Sequence, residues 1–98
     1  MRAAVNWLRA QEGGRSAPPT GEGPTPYSTI VKLGDLDDDW PPEQAWSLVV
    51  QKIAASDEYT WDADVRFFAP GAPSEFLTPG RTFELYEGHR LVAKGTLR

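Results

Sequence analysis

Apolar and polar positions alternate with a period of two along much of this chain. That period sends successive side chains to opposite faces, as in a β-strand with one buried and one wet face. The clearest case is Tyr59–Phe68, where Trp61, Ala63, Val65 and Phe67 alternate with Asp62, Asp64 and Arg66. Ala3–Arg9 repeats the pattern, with Ala3, Val5 and Trp7 on one face. Pro26–Leu33 (PYSTIVKL) is rich in β-branched residues, which suit a pleated surface. Thr82–Tyr86 and Leu91–Leu97 complete the series. In the last of these, Leu91, Ala93 and Leu97 line one face with Gly95 among them. A glycine inside a strand predicts close packing or a bend, as at a barrel corner.

Gln44–Ile53 admits two readings. Trp46, Val49, Val50 and Ile53 fit a helical spacing with Pro42 near the first turn, whereas Trp46, Leu48 and Val50 fit a strand. Periodicity does not separate them, and the neighbouring strands favour a strand. Residues 16–26, 34–43 and 69–80 read as loops, and AASDE (54–58) reads as a turn. Nine Gly and nine Pro cut the chain into short pieces, which also favours strands. The expected fold is all-β: one domain, residues 1–98, folded as a six-stranded antiparallel barrel. Closure is expected because the strands carry no obvious edge protection, and a closed barrel has no edges.

Composition narrows the chemistry. Ninety-eight residues with 40% hydrophobic and 11% aromatic content suffice for a single modest core. There is no cysteine, so disulfides and thiolate metal sites are excluded. No apolar run approaches the ~20 residues that span a bilayer. The start, MRAAVNWLRAQE, lacks a continuous apolar stretch and a cleavage site, so a mature, cytoplasmic chain is expected. A net charge of −4 argues against non-specific DNA or RNA binding and is compatible with a basic protein partner.

One four-residue pattern occurs twice: EGGR at residues 12–15 and EGHR at residues 87–90. Glycine permits the positive φ that a tight turn needs, so both read as hairpin-like turns of one barrel. Arg15 and Arg90 would close these turns, pairing with carboxylates such as Glu12 and Glu87. The flanking residues do not match, so the repetition is not an internal repeat.

The order of strand, EGGR, Pro/Gly loop and strand, with EGHR in the final hairpin, resembles the third, C-terminal β-barrel domain of elongation factor Tu. The resemblance rests on Asn6–Arg15, Gly21–Leu33 and Pro79–Leu97, and spans nearly the whole chain. It implies a six-stranded barrel of that type. In that family the surface around the two turns contacts the T-stem of aminoacyl-tRNA. By residue type, Arg15, Glu87 and Gly88 match that surface, and Ser16 stands where the family has a basic or imidazole side chain; RNA binding inherited from it would run through Arg15, Arg90 and Lys94. The chain holds no GxxxxGK[ST] phosphate-binding loop, so no GTPase activity is expected.

Other candidate chemistry is sparse. Asp35–Asp39 resembles the start of a calcium loop but lacks its sixth-position glycine and twelfth-position glutamate. His89 is the only histidine, which excludes a multi-histidine metal site and suits an exposed turn residue. No serine has a nucleophile-elbow context. Trp7, Trp46 and Trp61 are expected in the core; Trp40 either covers a barrel end or anchors an interface. No cofactor or metal is implied. The expectation is a non-enzymatic binding module that docks a protein through loops 16–26 and 34–43, with Pro19, Glu22, Asp37, Asp38, Asp39 and Trp40 as contacts. The alternatives are tRNA binding through Arg15, Ser16, Glu87, Gly88 and Arg90, and a small ligand-binding barrel.

Overall fold

In a computed structural model that describes residues 1–19, 26–33, 46–72 and 74–98, the period-two pattern is realised as six strands. They are β1 (Arg2–Trp7), β2 (Tyr27–Leu33), β3 (Trp46–Asp57), β4 (Thr60–Phe67), β5 (Thr82–Glu87) and β6 (Arg90–Leu97). All neighbours are antiparallel, and the order β1-β4-β3-β2-β5-β6 closes on itself as a barrel. Closure pairs β1 with both β4 and β6, so no strand is left as an open lateral edge of the sheet over the paired residues.

The inward residues are those the alternation marks. Ala3, Val5 and Trp7 of β1 and Trp61, Ala63, Val65 and Phe67 of β4 are all buried. Leu48 and Val50, Val31 and Leu33, and Phe83 and Leu85 join the core from β3, β2 and β5, and Val92, Ala93 and Leu97 from β6. Each Val, Leu or Phe among them contributes about 1.5–3 kcal/mol on full burial. Trp46 is half-buried and packs on the rim of the core, with its ring edge-on to Phe67 at 6.3 Å.

Gly95 answers the expectation of close packing. It lies opposite Phe83 in the β5–β6 ladder, and a Cβ built on it would come within 2.1–2.6 Å of the Phe83 ring. The ring occupies the space that a side chain on β6 would need.

Three extra residues bend the ladder. Leu85 pairs with Ala93 and Tyr86 with Leu91, which leaves Val92 unpaired as a bulge. The bulge turns Leu91 away from the core while Val92 becomes fully buried. The expected single face of Leu91, Ala93 and Leu97 is therefore corrected to Ala93, Gly95 and Leu97. On β3 the extra residues are Ile53 and Ser56. They let β3 stay paired with β4 as far as Asp57, so Ala54–Asp57 is strand, and only Glu58 and Tyr59 remain as the turn. The helical reading of Gln44–Ile53 falls to strand from Trp46 onward.

The barrel has two ends. The turn end collects the close of β1, the start of β2 and the hairpin turns at Glu58–Tyr59 and Gly88–His89. Leu33, Trp46, Phe67, Thr82 and both chain termini lie at the opposite, terminal end. Among the described residues no helix is long and apolar enough to cross a membrane.

Candidate functional site

The two EGxR stretches differ in kind. EGHR is a hairpin turn: Gly88 has φ of 62° and joins paired strands, and His89 beside it is exposed. EGGR is not a hairpin, because β1 and β2 are not neighbours in the barrel. It ends a short 3-10 turn, Ala10–Glu12, in which the Glu12 carboxylate accepts from the Arg9 backbone N–H at 2.9 Å. Gly13 then takes φ of 90°. Gly14 is needed for a different reason: a Cβ there would lie 2.3 Å from the carbonyl oxygen of Leu8. The second glycine has no counterpart in EGHR, where His89 stands in the open.

The two stretches meet. The Arg15 guanidinium donates to the Glu87 carboxylate, and the Tyr27 hydroxyl donates to the same oxygen. Arg15 Nε also donates to the Ala17 carbonyl at 3.1 Å, and its guanidinium lies 5.6 Å from the centre of the Tyr27 ring. Arg15 therefore pairs with Glu87 and not with Glu12. Behind this cluster the Trp7 ring packs edge-on to Tyr27 at 5.2 Å and to Trp61 at 4.8 Å. Trp7 Nε1 is a buried donor with no hydrogen-bond acceptor among the described residues.

Electrostatics follow from these contacts. Burial, reinforced by the hydrogen bond to Glu87, pushes the Tyr27 phenol up to about 12. Burial alone would raise the Glu87 carboxyl. The hydrogen bonds from Tyr27 and Arg15, together with the charges of Arg15 and Arg90, outweigh it and hold the group below its ordinary value. The Tyr86 phenol is raised by burial and by Glu84, to which it donates at 3.3 Å.

The sequence-derived residues divide by position. Arg15, Ser16, Glu87, Gly88 and Arg90 all come to the turn end. There the Arg15 guanidinium is engaged within the molecule, while Ser16, Gly88 and Arg90 are exposed. Pro19 is at the same end and walls an open groove of about 340 Å³ with Pro18, Lys52 and Trp61. Glu22, Asp37, Asp38, Asp39 and Trp40 lie outside the described residues. The residues flanking 34–45, Leu33 and Trp46, belong to the terminal end. Loops 16–26 and 34–43 thus leave the barrel from opposite ends.

The sequence reading missed Tyr27 as a partner of the turn cluster and Phe68 as an exposed aromatic. Tyr27 was legible only as a strand residue, because its partner lies 60 positions away. Phe68, 68% exposed, continues the apolar run of β4 by one residue, which hides it. Among the described residues no group of three or more His, Cys, Asp or Glu is placed to hold a metal ion.

Comparisons with protein-family models, with curated proteins and with solved structures returned no match.

Proposed function

We propose that this barrel is a non-enzymatic binding module that docks a protein partner, and that the partner surface is basic. The observation that carries the reading is how charge is distributed. All ten Lys and Arg fall within the described residues, against eight of the fourteen Asp and Glu. The other six acids are Glu22, Asp35, Asp37, Asp38, Asp39 and Glu43. The chain's net charge of −4 is thus an excess of acid in two connections, attached to a barrel that is itself slightly basic.

Five of those acids and Trp40 belong to the connection between Leu33 and Trp46. Phe68 stands at the same end of the barrel, its N–H donating to Ser47 at 2.9 Å. Carboxylates close in sequence to Trp40, in a connection that leaves the end of the barrel where Phe68 is exposed, suit a basic protein surface: the charges steer the encounter and aromatic rings supply buried contact. The resemblance to the third domain of elongation factor Tu agrees with a barrel used for docking.

The test is capture from the parent cell lysate on immobilised protein, at low salt, with and without RNase. The wild-type chain is expected to retain a protein that survives RNase. A variant carrying Asp37→Asn, Asp38→Asn and Asp39→Asn is expected to lose it. Retention by the variant, or loss of every band on RNase treatment, would refute the reading.

A further inference from the structure

The acidic connections leave a question about the wall that is not acidic. On the outer face of β2, β5 and β6, Ile30 pairs with Tyr86 and Tyr86 with Leu91, so three neighbouring strands put one row of apolar side chains outward. None of the three belongs to the core, and each is only half-buried. The next row is Lys32, Glu84 and Lys94, again in register across the same strands. Neither lysine has an ion-pair partner among the described residues. Strand spacing sets these lysines roughly 10 Å apart. Beside Lys94 the wall opens into a groove of about 490 Å³, whose sides include Thr82, Thr96 and Asn6.

Charge is concentrated here. This wall and the turn cluster at its end hold Lys32, Lys94, Arg15 and Arg90 against Glu84 and Glu87. The remaining described residues hold six cations and six anions, so the positive surplus of the barrel lies on this side. On the opposite side, Asp62 accepts from both Arg2 and Arg98, and Asp64 pairs with the terminal amine.

We infer that the β2–β5–β6 wall is a second docking surface, and that its occupant is an acidic segment of a protein partner carrying apolar side chains. The apolar row takes those side chains, and Lys32 and Lys94 take flanking carboxylates. The surface fits a protein better than a nucleic acid. Tyr86 is the row's single ring, and Ile30 and Leu91 on either side of it add no further stacking face; Glu84 between the lysines repels a phosphate chain, and Arg15 is already engaged by Glu87. A mixed aliphatic and aromatic row with a polar rim has the make-up of a protein–protein contact. None of its residues belongs to the acidic connection of the proposed function, and the barrel would then join two partners of opposite charge.

The experiment is an NMR titration of the ¹⁵N-labelled full chain with a synthetic peptide alternating Glu with Leu and Phe. Two probes run in parallel: the same peptide with Ser at every apolar position, and oligouridylate of equal charge. Shifts are expected at Ile30, Lys32, Glu84, Tyr86, Leu91 and Lys94. The Ser peptide is expected to bind at least tenfold more weakly. Lys94→Glu is expected to weaken the apolar peptide at least tenfold, and Leu91→Ser about fivefold, each with a dispersed spectrum that reports folding. Lys94→Gln, the milder change, serves if Lys94→Glu loses that dispersion. Shifts elsewhere or none, equal binding of the Ser peptide, or equal binding of oligouridylate at this wall would each overturn the inference. So would shifts at this wall that grow with protein concentration alone, which would make the occupant a second copy of the chain.

Discussion

Arg15 and Glu87 are 72 residues apart, and the guanidinium of one donates to the carboxylate of the other across the turn end of the barrel. The arginine of EGGR thus meets the glutamate of EGHR. Tyr27 adds a second donor to the same carboxylate oxygen. One carboxylate ties the start of β2, the β5–β6 hairpin and the segment after β1 to a single point.

Acid should loosen that point. The carboxyl of Glu87 titrates lower in the folded chain than in the unfolded one. Its contribution is therefore present above the unfolded value and is lost as pH falls through the folded one. Urea unfolding is expected to show Glu87→Gln less stable than wild type by about 1 kcal/mol at pH 7. The difference should shrink when the same measurement is made in acid, as the pH falls through the folded value. A constant difference at pH 7 and in acid would mean that the ion pair contributes nothing.

Alkali should loosen it from the other side. Tyr27 is raised to about 12, so the fold favours its neutral phenol. That contribution is complete below the unfolded value near 10 and is lost as pH rises through the folded value. Ultraviolet titration of phenolate is expected to show late-titrating absorbance, from which Tyr27→Phe removes the component near pH 12. Tyr27→Phe should also flatten the decline in stability between about pH 10 and 12.

The two glycines of EGGR should fail differently. Gly13→Ala forces a side chain into positive φ with nothing to strike, at a cost of about 1–2 kcal/mol. Gly14→Ala sets a methyl against the backbone of Leu8, 2.3 Å from its oxygen and 2.7 Å from its carbonyl carbon. Backbone cannot rotate aside, so a loss of about 3 kcal/mol is expected. Thermal denaturation that ranked Gly13→Ala as the more damaging would contradict this assignment.

Gly95→Ala should unsettle the core through Phe83. The added methyl meets a ring that is 1% exposed and has no room to swing. A loss of about 2–3 kcal/mol is expected. Combining it with Phe83→Leu should recover part of that loss, read as a favourable coupling in a double-mutant cycle. Simple additivity would mean the two positions do not share the space.

Sequence legibility followed the range of the interactions. Period two in Tyr59–Phe68 named Trp61, Ala63, Val65 and Phe67 as core, and they are, because strand faces are set by the local pleat. The same rule failed at Leu91, where the Val92 bulge shifts the register by one residue. It failed also at Ala54–Asp57, which small and polar residues marked as a turn. There pairing with β4, maintained through bulges at Ile53 and Ser56, overrode local preference.

The candidate site was legible as residues but not as contacts. Arg15 and Glu87 stood out because each belongs to a glycine turn, yet each was matched to the nearest carboxylate or arginine in the chain. Ile30, Tyr86 and Leu91 read as ordinary strand residues, since nothing local aligns three segments that lie up to 61 positions apart.

By itself the sequence determined the all-β class, the six strands, most of the inward set and the placing of acid in the connections. These follow from alternation, from Gly and Pro, and from charge, all of which act over a few neighbouring residues. Only the tertiary structure decided that Arg15 is engaged by Glu87, that EGGR closes a 3-10 turn instead of a hairpin, and that the outer wall gathers an apolar row beside two lysines. Those features depend on strand order and register, which barrel closure fixes through contacts between residues far apart in the chain.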